Sequence, residues 1–552
     1  MYRCFSLKKI TYFYYQIWCY ETKSLKDLER KLDTLNQSYI KEAKNLNTTK
    51  NILKEKKVDL NDITKAYEKL EKAINFASVA HEGQFRRSGE PYITHPLAVA
   101  HNLIEWGMDI DSVIAGVLHD TVEDTNVTLK DIKENFSNEI AKLVDGVTKV
   151  SQARSGMKDI SNYMDSTKEN LSKLLIAVAD DVRVVIIKLS DRLHNMQTLK
   201  YKSPEKQIKI ARETLAVFAP MADRLGMGRV RMQLEELAFS YLDPKEYKRL
   251  SILMRKRLGK STRKLGIIRN EVETKLKAEG IKYEVNGRIK SIYSLHKKMI
   301  KKKGNIDEIY DLMALRVILD TKEDCYRVLG ILHSMYQPMI ARIKDYIAIP
   351  KPNGYQSLHT TVVTPNKQIV EFQIRTKEMH EYAEKGLAAS FHYHASKSSE
   401  NYTKRHVVTS LPANLQWITR LQEVAEKLGN NEDIPEEQLK VDLFSDRIFV
   451  YSPKGDIFNL PIGALPLDFA YLVHSDVGKH AHTFKVNGQI RSFDTPLENG
   501  DVVEIITRRA SYPNKGWLKL VTTSHAKDKL KSQLKHMGIL GSISKASAII
   551  RE

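Results

Sequence analysis

His119 and Asp120 stand side by side in the run LHDTVEDT, and both residue types ligate metal ions. Neighbouring side chains on a regular helix point about 100° apart, so a shared ion needs the pair at a bend or a helix end. The apolar-rich stretch from Pro96 to Leu118 reads as a helix, which puts the pair at its C-terminal end. His95 immediately precedes Pro96, a residue suited to a first helical position. Asp191 lies further on, in VVIIKLSDRLHNMQTL. Two His and two Asp make a mixed nitrogen and oxygen set that suits a hard or borderline divalent ion such as manganese.

A His-Asp dipeptide alone is common by chance, so its surroundings decide. Asp120, Glu123 and Asp124 are spaced i, i+3, i+4 and share a face if the helix restarts. Three acids on one turn repel one another unless they are solvated or hold a cation. Around Asp191, Val182, Val185, Ile186, Leu189 and Leu193 form an apolar stripe at helical spacing. Lys188, Asp191, Asn195 and Thr198 form a second, polar stripe, read as the wall of a polar pocket.

The second constellation lies in VEFQIRT, whose period is two. Val370, Phe372 and Ile374 face a core, and Glu371, Gln373 and Arg375 face the other side together. An acid, an amide and an Arg on one face suit a bound metal-nucleotide. Asp311 precedes the strand LMALRVIL and could supply a second carboxylate, the arrangement that holds magnesium against a triphosphate. Basic residues gather nearby: Arg288, Lys290, Lys297, Lys298, Arg342, Lys344 and Lys351. Arg offers phosphate a bidentate fork and Lys a point charge. The turn PKPNG ends at Tyr355, an aromatic able to stack on a base.

The elements that must position these residues change in character along the chain. Residues 1–57 read as an N-terminal extension, disordered or helical. Residues 58–240 read as almost wholly helical, and 241–280 as a basic helical connector. Residues 281–395 are α+β: a strand with an Asn-Gly turn signal at 286–287, strands over 312–320, 358–364 and 368–376, and a helix over 324–336. Residues 396–440 read as a linker with a helix. A β-rich module of ubiquitin-like size fills 441–508, and 509–552 begins a helical region.

The 552 residues suffice for several cores. Hydrophobic content of 42% and charged content of 28% fit a globular, water-soluble chain. A net charge of +20, from 88 Lys+Arg against 68 Asp+Glu, favours polyanionic partners. Cys4, Cys19 and Cys325 form neither a zinc spacing nor a disulfide framework, which suits a reducing cytoplasm. No run reaches the roughly 18 apolar residues of a membrane span, and no membrane association is expected.

Six motifs, HEGQFRRSGEPYITHP, LHDTVEDT, KLSDRLHNMQT, IYDLMALRV, NGYQSLHTTV and EFQIRTKEMH, occur in the order and near the spacing of one family. From about residue 60 onward the chain strongly resembles the long Rel/SpoT enzymes, which make and degrade guanosine tetra- and pentaphosphate in the stringent response. The resemblance implies an all-α HD-type phosphohydrolase domain, an α+β nucleotidyltransferase-like synthetase domain and a β-grasp TGS domain. In the first, His95, His119, Asp120 and Asp191 would ligate manganese, and Glu123 and Asp124 would position or activate water. Arg86, Arg87, Ser88, Asn195 and Thr198 would contact (p)ppGpp, which loses its 3′-pyrophosphate. In the second, Asp311 and Glu371 would hold magnesium, with Glu371 placed to deprotonate the 3′-hydroxyl of GDP or GTP. Arg288, Lys290, Arg342 and Lys344 would meet the phosphates of ATP. Tyr355 would stack on guanine, and Lys351, Asn353, His359, Gln373 and Arg375 would complete the site.

The TGS likeness implies contact with the ribosome and deacylated tRNA. Where the family usually has Arg-Phe-Lys-Asp, this chain has Arg342-Ile343-Lys344-Asp345, keeping the Lys of bifunctional members. Residues 388–392, AASFH, depart from the family's His-Trp pair, and 151–169 look longer than usual. The sequence stops after the TGS stretch, where long relatives continue into Cys-rich and ACT-like modules, so the expectation is either a fragment or a different regulation. The expected function is therefore bifunctional alarmone synthesis and hydrolysis. The alternatives are one live site beside a degenerate one, or a ribosome- and tRNA-binding regulator with vestigial catalytic domains. Two opposed activities in one chain imply reciprocal control, with residues 200–285 as the expected coupling element.

Overall fold

A computed structural model describes residues 60–155, 181–302, 304, 313–351, 353–388, 447–498 and 500–535. The extension over 1–57, the linker over 396–440, Asp311 and most of the AASFH segment lie outside the described residues, as do parts of 151–169 and 509–552.

The N-terminal unit is helical. In chain order it holds α1 (Leu60–Ala80), α2 (Thr94–Trp106), α3 (Ile110–Leu118), α4 (Thr121–Asp124), α5 (Leu129–Asn135), α6 (Asn138–Ser155), α7 (Val182–Gln197), α8 (Pro204–Glu213), α9 (Ala219–Arg224) and α10 (Gly228–Leu242). A π-helical turn, Thr214–Phe218, joins α8 to α9. The helix expected over Pro96–Leu118 is two helices. Gly107 takes φ +84, a left-handed conformation that costs glycine little, and its N–H caps α2. Asp109 then caps α3 by accepting from the Ser112 amide at 3.0 Å. The first of these helices starts at Thr94, so His95 lies in its first turn rather than before it. The two helices cross closely at Gly116, where an added Cβ would meet Leu103 Cδ1 at 2.5 Å. Leu103, Ile114, Leu118, Ile186 and Leu189 are fully or almost fully buried in their shared core.

Helix α11 (Pro244–Ala278) runs from this unit into the next. Its first half, with Leu250 and Met254, packs with Phe239 of α10 and with Leu295 and Met299 of α12 (Ile292–Lys301). Its second half, with Ile268, Val272 and Leu276, enters the core under a mixed sheet. The strands are β1 (Glu284–Ile289), β2 (Met313–Leu319), β3 (Gln337–Pro338), β4 (Lys344–Asp345), β5 (Leu358–Val363) and β6 (Ile369–Thr376). Their order is β1-β2-β6-β5-β3, with β4 also on β5; β2 and β6 are parallel. Helices α13 (Lys322–Met335) and α14 (Lys377–Lys385) follow β2 and β6. The expected Asn-Gly turn is absent: Asn286 and Gly287 pair in register with Arg316 and Leu315. A full antiparallel ladder outweighs the local turn preference.

The third unit has the hairpin β7 (Arg447–Tyr451) and β8 (Ile457–Pro461), helices α15 (Pro466–Val473) and α16 (Ser475–Lys479), and the sheet of β9 (Ala481–Val486), β10 (Gln489–Arg491) and β11 (Val503–Thr507). A parallel bridge from Tyr451 to Val502 joins hairpin and sheet. Its core continues past residue 508, through Trp517, Val521, Ala526 and Leu530. Among the described residues no helix is long and apolar enough to cross a membrane.

Candidate functional site

His119 closes the C-terminal end of α3 and Asp120 precedes α4, so the change of direction between two helices aims both side chains inward. His119 Nδ1 lies 2.8 Å from the Gly116 carbonyl. A carbonyl only accepts, so Nδ1 carries a proton and Nε2 is the nitrogen turned to the carboxylates; burial opposes the charged ring, but Asp120 raises it to about 9. That Nε2 is buried and lies 3.0 Å from Asp120 Oδ1. His95 Nε2 lies 3.4 Å from Asp120 Oδ2 and 3.3 Å from Asp191 Oδ1. Its Nδ1 faces His194 Nδ1 at 2.7 Å. Arg86, a pure donor, also reaches His194 Nδ1, at 2.9 Å, so that nitrogen accepts and the proton between the rings belongs to His95. The Nε2 atoms of His95 and His119 thus converge on two carboxylates. Donor atoms of His95, His119 and Asp120 lie within 4.8 Å of one another, a geometry that can hold a divalent ion.

The surroundings keep the acids charged. Although burial opposes it, His119 holds the Asp120 carboxylate well below the usual range. Lys188, buried and 2.6 Å from Asp191, does the same there. Burial, followed by His95 and Arg86, pushes His194 down to about 3, so it stays neutral. The Tyr92 hydroxyl lies 2.8 Å from Asp120 Oδ2 and 2.7 Å from Asp124 Oδ2, tying the two acids together. A cavity of about 550 Å³ opens over this cluster. Arg86, Arg87, Ser88, Glu123, Asp124, Asn195 and Thr198 all line it. Arg86 donates to Asn195 Oδ1 and to Thr198 Oγ1, each at 3.3 Å. Asn195 donates in turn to Asp191.

The second group lies on one face of the mixed sheet. Strand register sets Asn286, Arg316, Gln373, His359 and Lys344 in one row across β1, β2, β6, β5 and β4. The next row holds Arg288, Ala314, Glu371 and Thr361. Glu371 Oε1 lies 3.1 Å from His359 Nδ1, and Oε2 lies 4.0 Å from Lys290 Nζ. Arg288 donates to Gln373 Oε1 at 2.9 Å. Tyr355 Oη lies 2.9 Å from His359 Nε2, and Lys351 Nζ stands 5.2 Å above the Tyr355 ring. Arg375 is buried beside His380 and Glu384; burial lowers its guanidinium to about 10, still charged at neutral pH. Arg342 lies in a 3-10 turn, half-buried, just before the exposed Lys344. Asn353 points away from the row, to Asp223 of the helical unit, at 3.1 Å to its carbonyl and 3.3 Å to Oδ1. Val370, Phe372 and Ile374 are buried on the opposite face.

Three contributors escaped the sequence reading. Tyr92, three residues before His95, and His194, three after Asp191, had a usable signal in that spacing. Arg316 had none, because only strand pairing sets it beside Gln373.

Three family models match the chain: an HD domain over residues 73–228, a region found in RelA and SpoT proteins over 287–398, and a TGS domain over 448–507. The chain is 43% identical over 466 residues to a GTP pyrophosphokinase of Myxococcus xanthus, covering 84% of this chain and 60% of that one. It is 43% identical over 465 residues to a probable guanosine-3′,5′-bis(diphosphate) 3′-pyrophosphohydrolase of a Synechocystis species, covering 84% and 60%. Identity is 41% over 472 residues to the bifunctional (p)ppGpp synthase/hydrolase SpoT of Escherichia coli, covering 85% and 65%. The chain therefore spans 60–65% of the length of these curated relatives.

Proposed function

The chain belongs to the RelA/SpoT family, and on that premise we propose that it is a bifunctional alarmone enzyme. In the helical domain it removes the 3′-pyrophosphate of (p)ppGpp; in the mixed-sheet domain it moves a pyrophosphoryl group from ATP to the 3′-hydroxyl of GDP or GTP. The observation that carries the reading is the convergence of two imidazole nitrogens on the Asp120 and Asp191 carboxylates.

His95, His119, Asp120 and Asp191 would hold manganese, which when bound lowers the pKa of a ligated water and offsets phosphate charge. Asp124, steadied by Tyr92, and Glu123 line the same cavity and orient the attacking water. Arg86 and Arg87 supply positive charge to the leaving pyrophosphate, while Ser88, Asn195 and Thr198 hydrogen-bond the nucleotide. In the other domain Glu371 and Asp311 would hold magnesium. His359 and Lys290 fix the Glu371 carboxylate, which takes the proton of the 3′-hydroxyl. Arg288, Lys290, Arg342 and Lys344 bind ATP phosphates; Tyr355 stacks on guanine, with Lys351, His359, Gln373 and Arg375 around it. Such transfer relies mostly on positioning and charge neutralisation. The TGS domain would contact deacylated tRNA and the ribosome, in the cytoplasm.

The test is to incubate the purified chain with labelled ATP and GDP, and separately with ppGpp and manganese. Asp120→Asn should abolish hydrolysis and keep synthesis; Asp311→Asn should do the reverse. Neither product from the wild type would leave the vestigial-regulator reading standing.

A further inference from the structure

We propose that Tyr346 is a positioning residue for pyrophosphoryl transfer: its ring braces Lys351, Tyr355 and His359 and so sets the affinity of the mixed-sheet domain for GDP or GTP. This role rests on the synthetase reading above.

Tyr346 directly follows β4. Its amide donates to the Ser357 carbonyl at 3.0 Å, one step beyond the pairing of Lys344 with His359 and of Asp345 with Leu358. Side chains alternate along a strand, so Tyr346 shares a face with Lys344 and, across the ladder, with His359. Three rings meet there edge to face. The Tyr346 ring lies 5.3 Å from the His359 ring at 88° and 6.1 Å from the Tyr355 ring at 69°. Tyr355 and His359 are 5.8 Å apart at 79°. Edge-to-face pairs at such spacings attract one another beyond the area they bury.

Lys351 closes the group. Its Nζ stands 4.9 Å from the centre of the Tyr346 ring and 5.2 Å from that of Tyr355. Lys351 is exposed, and an exposed ammonium on a four-carbon stem ordinarily wanders. Two aromatic faces confine it without neutralising it, so its charge remains for a phosphate. His359 is held from the other side. Burial lowers its imidazole, against the pull of Glu371, so the ring is neutral at neutral pH. Nδ1 then donates to Glu371 Oε1 at 3.1 Å, and Nε2 accepts from the Tyr355 hydroxyl at 2.9 Å. One tyrosine ring thus bears on where Lys351 points, how Tyr355 is tilted and how His359 meets Glu371. These contacts use the ring of Tyr346 and not its hydroxyl. All three braced residues belong to the acceptor nucleotide's surroundings and none to the group assigned to ATP, so loss of the ring falls on the acceptor.

The experiment measures transfer from labelled ATP to GDP by the full chain, with each nucleotide varied in turn. Tyr346→Leu should raise the KM for GDP by on the order of tenfold and leave the KM for ATP within about twofold of wild type. Tyr346→Phe, which keeps the ring, should retain the wild-type KM for both. Because the ring acts in part through Lys351, Tyr346→Leu should cost less when added to Lys351→Met than it does alone. Tyr346→Met, flexible and apolar but without a ring, takes the place of the leucine variant if thermal unfolding shows that one to be unfolded. An unchanged KM for GDP, equal rises for both nucleotides, a loss confined to kcat, or a phenylalanine variant as weak as the leucine one overturns the brace alone. Loss of folding in both the leucine and methionine variants overturns it as well, since the ring then serves stability. A wild type that makes no pyrophosphorylated product and binds no GDP by calorimetry overturns the synthetase reading and the brace with it.

Discussion

His95 and His119 each commit one ring nitrogen to a fixed partner, which aims the other at the carboxylates. The partners differ in kind. Gly116 offers a backbone carbonyl that no substitution removes, whereas His95 depends on the side chain of His194. His194→Phe should therefore weaken metal affinity and hydrolysis by roughly 10–100-fold while leaving pyrophosphoryl transfer intact. Metal titration followed by separate assays of the two activities checks this; a variant with full metal affinity would refute it. Cys325 presents the opposite case, a group silenced by its place. It is fully buried on α13, and burial, then Asp324 and Glu323, pushes its thiol up to about 12. The thiol should resist alkylation at pH 8 in the native protein and react once urea unfolds it, as peptide mass mapping would show.

Among the described elements, the start of α15 is held by one buried carboxylate. Asp468, 1% exposed, accepts from the amides of Leu465, Thr522 and Thr523 and from both threonine hydroxyls. One carboxylate thus closes a helix N-terminus and pins the chain leading to the last helical residues of the β-rich module. Asp468→Ala orphans several buried donors and should destabilise that module by about 3 kcal/mol. Hydrogen exchange should rise over 465–474 and 521–526 and remain as it was in the helical domain; uniform protection would refute the assignment. The elements also show where local rules are outvoted. Gly107 was a readable helix stop inside an otherwise continuous apolar pattern. Asn286-Gly287 was a readable turn that does not form, since six register pairs with β2 span it.

Across the whole molecule, the helical and mixed-sheet domains meet at a seam of glycines. The Leu387 amide donates to the Leu225 carbonyl at 2.8 Å. Gly386 has φ +62, and a Cβ there would lie 2.2 Å from that same carbonyl oxygen. Gly226 has φ +72, and its Cβ would approach the Asn353 carbonyl at 3.0 Å. Gly386→Ala therefore adds both backbone strain and a steric clash, and should cost about 2 kcal/mol or more. Thermal unfolding followed by calorimetry checks the size; an unchanged transition would refute the close approach. Asp223→Ala should free Asn353 and raise the KM for GDP, with less effect on hydrolysis, in parallel assays of the two activities. The seam involves α9 and α10, inside the 200–285 stretch expected to couple the domains, and the loop that carries Tyr355.

By itself the sequence marked where helices and strands would lie and which residue types could do chemistry, because periodicity and metal-ligand types are local properties. The stripe through Lys188, Asp191, Asn195 and Thr198 and the period-two face of Glu371, Gln373 and Arg375 could both be read without coordinates. Tertiary structure alone decided what those residues face. His95 and His119 belong to different helices, and which of their ring nitrogens faces the carboxylates depends on a backbone carbonyl and on a third imidazole. Arg316 joins the polar face of the sheet only through parallel pairing of β2 with β6. Asn353, read as part of that face, turns instead to Asp223. Each of these is a contact between segments far apart in the chain, set by the packing of whole elements, and no pattern within a single element encodes it.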